Sequence, residues 1–99
     1  MNKQVFYIKE NSWLAMLAAK KLNSESVAMV LGKTIHLYGS TKENFLADKR
    51  WVKHELCHVK QFDANGYVMF TIKYIWESLR VGYYNNKYEV EAREAEKLL

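Results

Sequence analysis

The five residues His54-Glu55-Leu56-Cys57-His58 constrain this chain more than any other stretch. On a helix, residues four apart lie about 40° apart around the axis, so both imidazoles leave one face and can meet one ion. Glu55 sits about 100° from His54, close enough to reach a water on that ion without becoming a ligand. With His54 at zero, Val52, Leu56 and Val59 fall near 160°, 200° and 140°, an apolar flank opposite the histidines. The pattern predicts a helix over about Asn44 to Ala64 with one buried face and one polar, ion-binding face. Gln61, at about −20°, lies on the His54 side and is placed to hydrogen-bond a ligand or line a cleft.

Size limits what can surround that helix. With 99 residues, 49% of them hydrophobic, residues 1–99 are expected to form a single domain around one modest core. There are no prolines and four glycines, which argues against long linkers. The net charge of +4 comes from fifteen basic and eleven acidic residues, and the two signs are interspersed. No basic stripe carries interleaved aromatics, so nucleic acid is not an expected partner.

Cys57 is the sole cysteine, which excludes an intramolecular disulfide and a Cys-rich structural zinc site. A free thiol suits a reducing compartment. Near the N-terminus, Val5 to Ile8 is too short an apolar run for a secretory signal. The apolar stretch from Tyr67 to Val81 is interrupted by Lys73, Glu77 and Arg80, short of the ~18 apolar residues a membrane span needs. Taken as a complete gene product, the chain is expected to be cytoplasmic and to have no membrane partner.

Local patterns supply the other elements. Val5 to Ile8 suggests a short strand or an extended lead-in. Asn11 and Ser12 offer an N-cap for a backing helix to about Asn23, with Lys20 and Lys21 near its C-terminus. Val27–Leu31 and Thr34–Tyr38 flank Gly32-Lys33, the preference of a type II′ hairpin. In the second strand Ile35 and Leu37 share one face, and Thr34, His36 and Tyr38 the other. The first strand is apolar on both faces and is expected inside the sheet; the second, more polar, is expected at its edge. Thr34, His36 and Tyr38 are accordingly the candidate substrate-binding residues, because a sheet edge can bind an extended peptide by strand addition. Ser40 and Thr41 can cap the next helix, and Asn65-Gly66 ends the histidine helix. A second long helix runs from Tyr67 to about Arg80, a turn covers Gly82 to Asn86, and a final helix spans Tyr88 to Leu98. The fold class is α+β.

A catalytic divalent ion needs a third protein ligand and an open position for water. Asp63 lies about 180° from the histidines and cannot turn back to them. The last helix offers Glu89, Glu91, Glu94 and Glu96. Glu89 and Glu91 differ by about 200° in phase, so they cannot serve one ion together, and phase alone does not choose among the four. Cys57, off the line bisecting the imidazoles, reads as a small buried hydrophobe.

His54-Glu55-Leu56-Cys57-His58 followed by Glu89-Val90-Glu91-Ala92 resembles the gluzincins, whose HExxH helix is completed by a glutamate in an ExxA-type motif on a later helix. The spacing and short chain are similar to the minimal members, the minigluzincins, and His58-Val59-Lys60-Gln61 resembles an HVxQ extension of small bacterial zincin-like domains. The resemblance implies a zincin-like minimal domain: a two- or three-stranded sheet, a backing helix, the HExxH helix, an intervening helix and a glutamate helix. It implies Zn2+ held by His54, His58 and Glu89, with Glu55 as general base. One position departs from the pattern. Many gluzincins carry an aspartate four residues after the ligand glutamate, where it orients a histidine; here Arg93 stands there.

The implied activity is hydrolysis of peptide bonds in a peptide or protein substrate, with Glu55 taking a proton from a zinc-bound water and returning it to the leaving amine. Tyr83, Tyr84, Tyr88 and His36 are the candidates for stabilising the oxyanion. A domain this small has little material for the far wall of a cleft, and a terminal segment can sit in it and inhibit. The alternative is a zinc-binding interaction or regulatory module with little or no turnover.

Overall fold

The computed structural model describes residues 5–98. The chain runs β1 (Tyr7–Lys9), α1 (Trp13–Leu22), β2 (Val27–Leu31), β3 (Thr34–Tyr38), α2 (Lys42–Ala47), α3 (Lys49–Asn65), α4 (Tyr67–Asn85) and α5 (Lys87–Ala95). The result is a small α+β domain with a three-stranded sheet and five helices among the described residues. None of these helices is long and apolar enough to cross a membrane.

Helix boundaries follow from side-chain caps. Ser12 accepts from the Ala15 amide to open α1, Thr41 from Asn44 to open α2, and Asp48 from Trp51 to open α3. Each places an oxygen on an amide that the first helical turn leaves without a partner. The expected single helix over Asn44 to Ala64 is therefore two, because Asp48 has extended backbone angles that end α2 while its side chain starts α3. The expected turn after Arg80 is a break at Gly82, whose φ of 84° is open to glycine without strain; one further helical turn carries Tyr83 before α5 begins. The last helix starts one residue earlier than expected and ends at Ala95.

The sheet overturns one expectation. Strand order is β1-β3-β2, with β1 parallel and β2 antiparallel to β3. The expected edge strand, Thr34–Tyr38, is thus the central strand, and β2 is an edge. The error has a physical source: alternation along a strand reports what covers its two faces, not what pairs with its two backbone edges. β2 is apolar on both faces because both are covered. Val27 and Met29 pack with Ala15 and Ala19 of α1, while Ala28 and Val30 pack against the cluster of Ile35, Leu37, Phe45 and Val59. The hairpin turn is as expected, with Gly32 at φ 64° and Lys33 outside the positive-φ region, as type II′ requires.

The main core lies between the sheet and α2–α3, where Ile35, Leu37, Phe45 and Val59 are fully buried. α1 covers the opposite face. Behind α3, Phe70 fits among Phe62, Tyr74 and Tyr88, joining α3, α4 and α5 through edge and tilted ring contacts. Asn86 fixes how α5 leaves α4. Fully buried, it donates to the Tyr74 carbonyl at 3.1 Å and to Ser78 Oγ at 2.8 Å, while its own oxygen caps the Tyr88 amide at 2.8 Å.

Replacing Asn86 by Ala removes a helix cap and takes the donor away from two part-buried acceptors. Urea unfolding of metal-free Asn86→Ala is expected to show about 1–3 kcal/mol less stability than the parent. A loss within experimental error would mean that α5 is anchored elsewhere.

Candidate metal centre

α3 presents His54 and His58 on the face opposite its buried Val59, and α5 lays Glu89 across them. His54 Nε2 lies 3.0 Å from Glu89 Oε1, and His58 Nε2 lies 3.1 Å from Glu89 Oε2. The three side chains offer one ligand atom each within 4.8 Å of one another, the one such group of His, Cys, Asp or Glu among the described residues. Ligands about 2.0–2.1 Å from a tetrahedral ion stand about 3.3 Å apart, so donor atoms already within 4.8 Å of one another need only a modest adjustment to converge on one ion. Two imidazoles and a carboxylate are a donor set suited to zinc.

Both histidine tautomers are set from behind. Gln61 Nε2 donates to the Tyr88 carbonyl at 3.1 Å and to Glu91 Oε1 at 2.6 Å, which leaves Gln61 Oε1 facing His58 Nδ1 at 2.8 Å. An amide oxygen only accepts, so His58 carries a hydrogen on Nδ1, and in its neutral form the Nε2 lone pair is the one turned inward. His54 Nδ1 lies 2.7 Å from Glu96 Oε2, and a carboxylate imposes the same tautomer. Glu96, seven residues beyond Glu89, thus holds His54 from behind. Arg93 points away: it donates to the Tyr84 carbonyl and lies over the Tyr84 ring. Tyr74 completes the surroundings of Glu89, its hydroxyl donating to Oε2 at 2.5 Å.

The electrostatics follow from a carboxylate buried among donors. Burial alone would raise Glu89, but His54, His58 and Tyr74 hold it far below the usual carboxylate range. Burial draws His54 down, yet hydrogen bonds donated to Glu89 and Glu96 and the nearby Glu55 charge outweigh it and hold the imidazole at about 9; His58 is raised for related reasons. Glu55 is only 5% exposed. Burial pushes its carboxyl up to about 7 against the pull of His58 and His54, and the Trp51 side chain hydrogen-bonds it.

Two cavities meet at this cluster. One, of about 310 Å³, runs between β2 and α4 and is walled by Ala28, Val30, Leu22 and Ile75, with His54 and Glu55 at its end. The other is an open groove of about 760 Å³ bordered by Ser26, Asp48, Arg50 and Glu96. His54, Glu55 and Tyr83 line both. Tyr83 is the tyrosine of its turn that reaches the centre. Burial and the Glu89 and Glu55 carboxylates push its phenol well above the ordinary value, so it stays a neutral O–H donor. Tyr84 is held by Arg93, and Tyr88 packs on Phe70 and Tyr74.

Other expected site residues lie elsewhere. Thr34, His36 and Tyr38 belong to the central strand and border neither cavity. His36 Nδ1 is bonded by Ser12 Oγ at 2.8 Å, and Tyr38 packs against α1. With both backbone edges of β3 paired, that strand cannot receive a peptide; among the described residues no strand pairs with the outer edge of β2, beside the cavity. Glu91 binds Gln61 and stands apart from the histidines. Cys57 lies half-buried beside Glu91 and Gln61, and burial with the Glu91 charge pushes its thiol up to about 11. Of the terminal segments, residues 1–4 and 99 lie outside the described residues, and the turn after α5 brings Glu96 onto His54. Asn86, Tyr74 and Glu96 carry no motif, and only their contacts across α4 and α5 reveal them.

Compared with family models, curated proteins and solved structures, the chain matches none.

Gln61→Ala and Glu96→Ala are each expected to weaken zinc binding about 10–100-fold in competition with a chelating dye, with the helical circular dichroism unchanged. Unaltered affinity in both would show that these outer bonds do not orient the histidines. The raised histidines also set a pH dependence. A group whose folded pKa lies above its ordinary value stabilises fully below that ordinary value and stops doing so as pH climbs through the folded one. Metal-free protein kept in chelator should therefore lose stability between pH 6.5 and about 9, by roughly 3 kcal/mol or less. Zinc affinity should rise across the same window as the imidazole protons leave. Thermal unfolding and zinc titration at stepped pH measure both.

Proposed function

We propose that this protein is a zinc-dependent metallopeptidase, with His54, His58 and Glu89 holding the ion. The observation that carries the reading is Glu55, a buried carboxylate raised to about 7, standing beside the three-donor cluster where two cavities meet. A purely structural metal site has no use for such a base. Zinc bound there supplies Lewis acidity toward water and toward an amide carbonyl.

The chain's own residues account for the rest. Glu55 accepts the proton released by the attacking water and delivers it to the departing amine, work suited to a carboxyl poised near neutrality. The neutral Tyr83 hydroxyl, hydrogen-bonded to Glu89 in the structure, would turn to donate to the oxygen of the attacked carbonyl. The free edge of β2 can pair with an extended peptide, and the apolar cavity beside it takes a large apolar side chain of that peptide.

Two variants separate holding from chemistry. Glu55→Gln is expected to retain stoichiometric zinc and to cut the hydrolysis of a peptide library by at least about 100-fold. Glu89→Ala should lose zinc itself. Wild-type protein loaded with zinc yet inert toward the whole library would instead identify a zinc-binding module without turnover. Full activity in Glu55→Gln would remove Glu55 from the mechanism.

A further inference from the structure

We infer that the outer face of α4 is covered by α4 of a second copy of this chain. The inner face of this helix is spent on its own domain: Phe70 is 2% exposed, Tyr74 reaches Glu89, and Glu77 is buried. The opposite face is also apolar, and among the described residues nothing packs over it beyond the rim of the β2 cavity at Ile75. Val68, Met69, Ile72, Ile75, Trp76 and Leu79 are all more than half exposed, Leu79 reaching 79%. A helix apolar on both sides is one that is covered on both sides.

Area and spacing point to a second helix as the cover. These six side chains, each more than half exposed, make a patch on the order of the ~800 Å² that each partner contributes to a standard interface and above the ~300–600 Å² of the largest patch on a typical monomer. Val68, Ile72, Ile75 and Leu79 recur at intervals of four, three and four, the seam that two helices share when side chains of one enter gaps on the other. A stripe of one apolar character is complementary to itself, so two copies can pack it across a two-fold axis and close the assembly at a dimer.

The charges bordering the stripe distinguish this partner from a lipid surface. Peripheral helices on anionic membranes keep free cations beside their apolar face. Here Lys73 is turned onto Asn65 Oδ1 at 2.9 Å, and Arg80 forms an ion pair with Glu77 at 3.1 Å. Both border cations are engaged within the chain, leaving an apolar seam with neutral Thr71 and Ser78 on its other flank.

Sedimentation equilibrium of the full chain at micromolar concentration tests the inference, with zinc content and circular dichroism recorded for every variant. Wild type is expected at twice its 11.7 kDa. Leu79→Glu and Ile72→Glu are each expected to weaken association at least about tenfold while keeping zinc and helicity. Val68→Lys tests the other end of the seam should either variant lose helicity. Trp13→Glu, an equally exposed apolar position on α1, should leave the dimer intact. A wild type that stays monomeric, or a dimer indifferent to all three seam variants, overturns the inference. So does a monomer that pellets with mixed phosphatidylcholine and phosphatidylserine vesicles and ceases to do so in Leu79→Glu, which would make the face a membrane surface. These outcomes do not depend on peptidase activity, so the two readings succeed or fail separately.

Discussion

A carboxylate removed from water has to be compensated, and in this domain the compensation of Glu89 organises everything around it. An unpaired charge at that depth would cost several kcal/mol. The two imidazoles and the Tyr74 hydroxyl that meet it come from α3 and α4, while Glu89 itself rides on α5. One group thereby ties three helices together. Without metal the imidazoles, whose affinity for protons Glu89 raises, supply the compensation; a cation among the same donors would displace those protons, so the proposed site and the helical half of the fold would share one electrostatic problem.

That dependence spreads outward through a chain of hydrogen bonds in which each group constrains the next. The Tyr88 carbonyl, held near the start of α5 by Asn86, fixes the orientation of the Gln61 amide; the amide fixes the His58 tautomer; the tautomer aims a lone pair inward. On the other side Glu96 acts directly on His54. Substitutions at Asn86 or Tyr88 reach the donors through this sequence without touching them, and the preorganisation is distributed across α3 and α5 rather than stored in the five-residue motif.

What could be read from the residues alone divides along a physical line. Helical phase put His54 and His58 on one face, set Val59 against the core and placed Gln61 on the histidine side, because those relations stay within one helix. The Gly32-Lys33 turn and the N-caps at Ser12 and Thr41 were legible for the same reason. Phase could not choose among Glu89, Glu91, Glu94 and Glu96; the choice of Glu89 leaned on resemblance, and its position beside the histidines depends on how α5 is docked. Glu96 reaches His54 only through the turn after α5, so no fixed spacing announces it. The sheet edge was misplaced because side-chain alternation carries no information about which backbone groups find partners, and β1, only three residues long, decided that matter by pairing with β3.

The free edge of β2 carries a further cost for the molecule. Its sequence, Val27-Ala28-Met29-Val30-Leu31, holds none of the lysines or prolines with which exposed strands usually repel one another. Its protection is topographic, since it lies in a recess with Leu22 on one side and Ile75 on the other. Any peptide that occupies the recess and any strand that would nucleate aggregation compete for the same row of amides. Under the proposed peptide pairing, colloidal stability would be coupled to occupancy of the cleft: an extended ligand in the recess would be at once a guest and a guard.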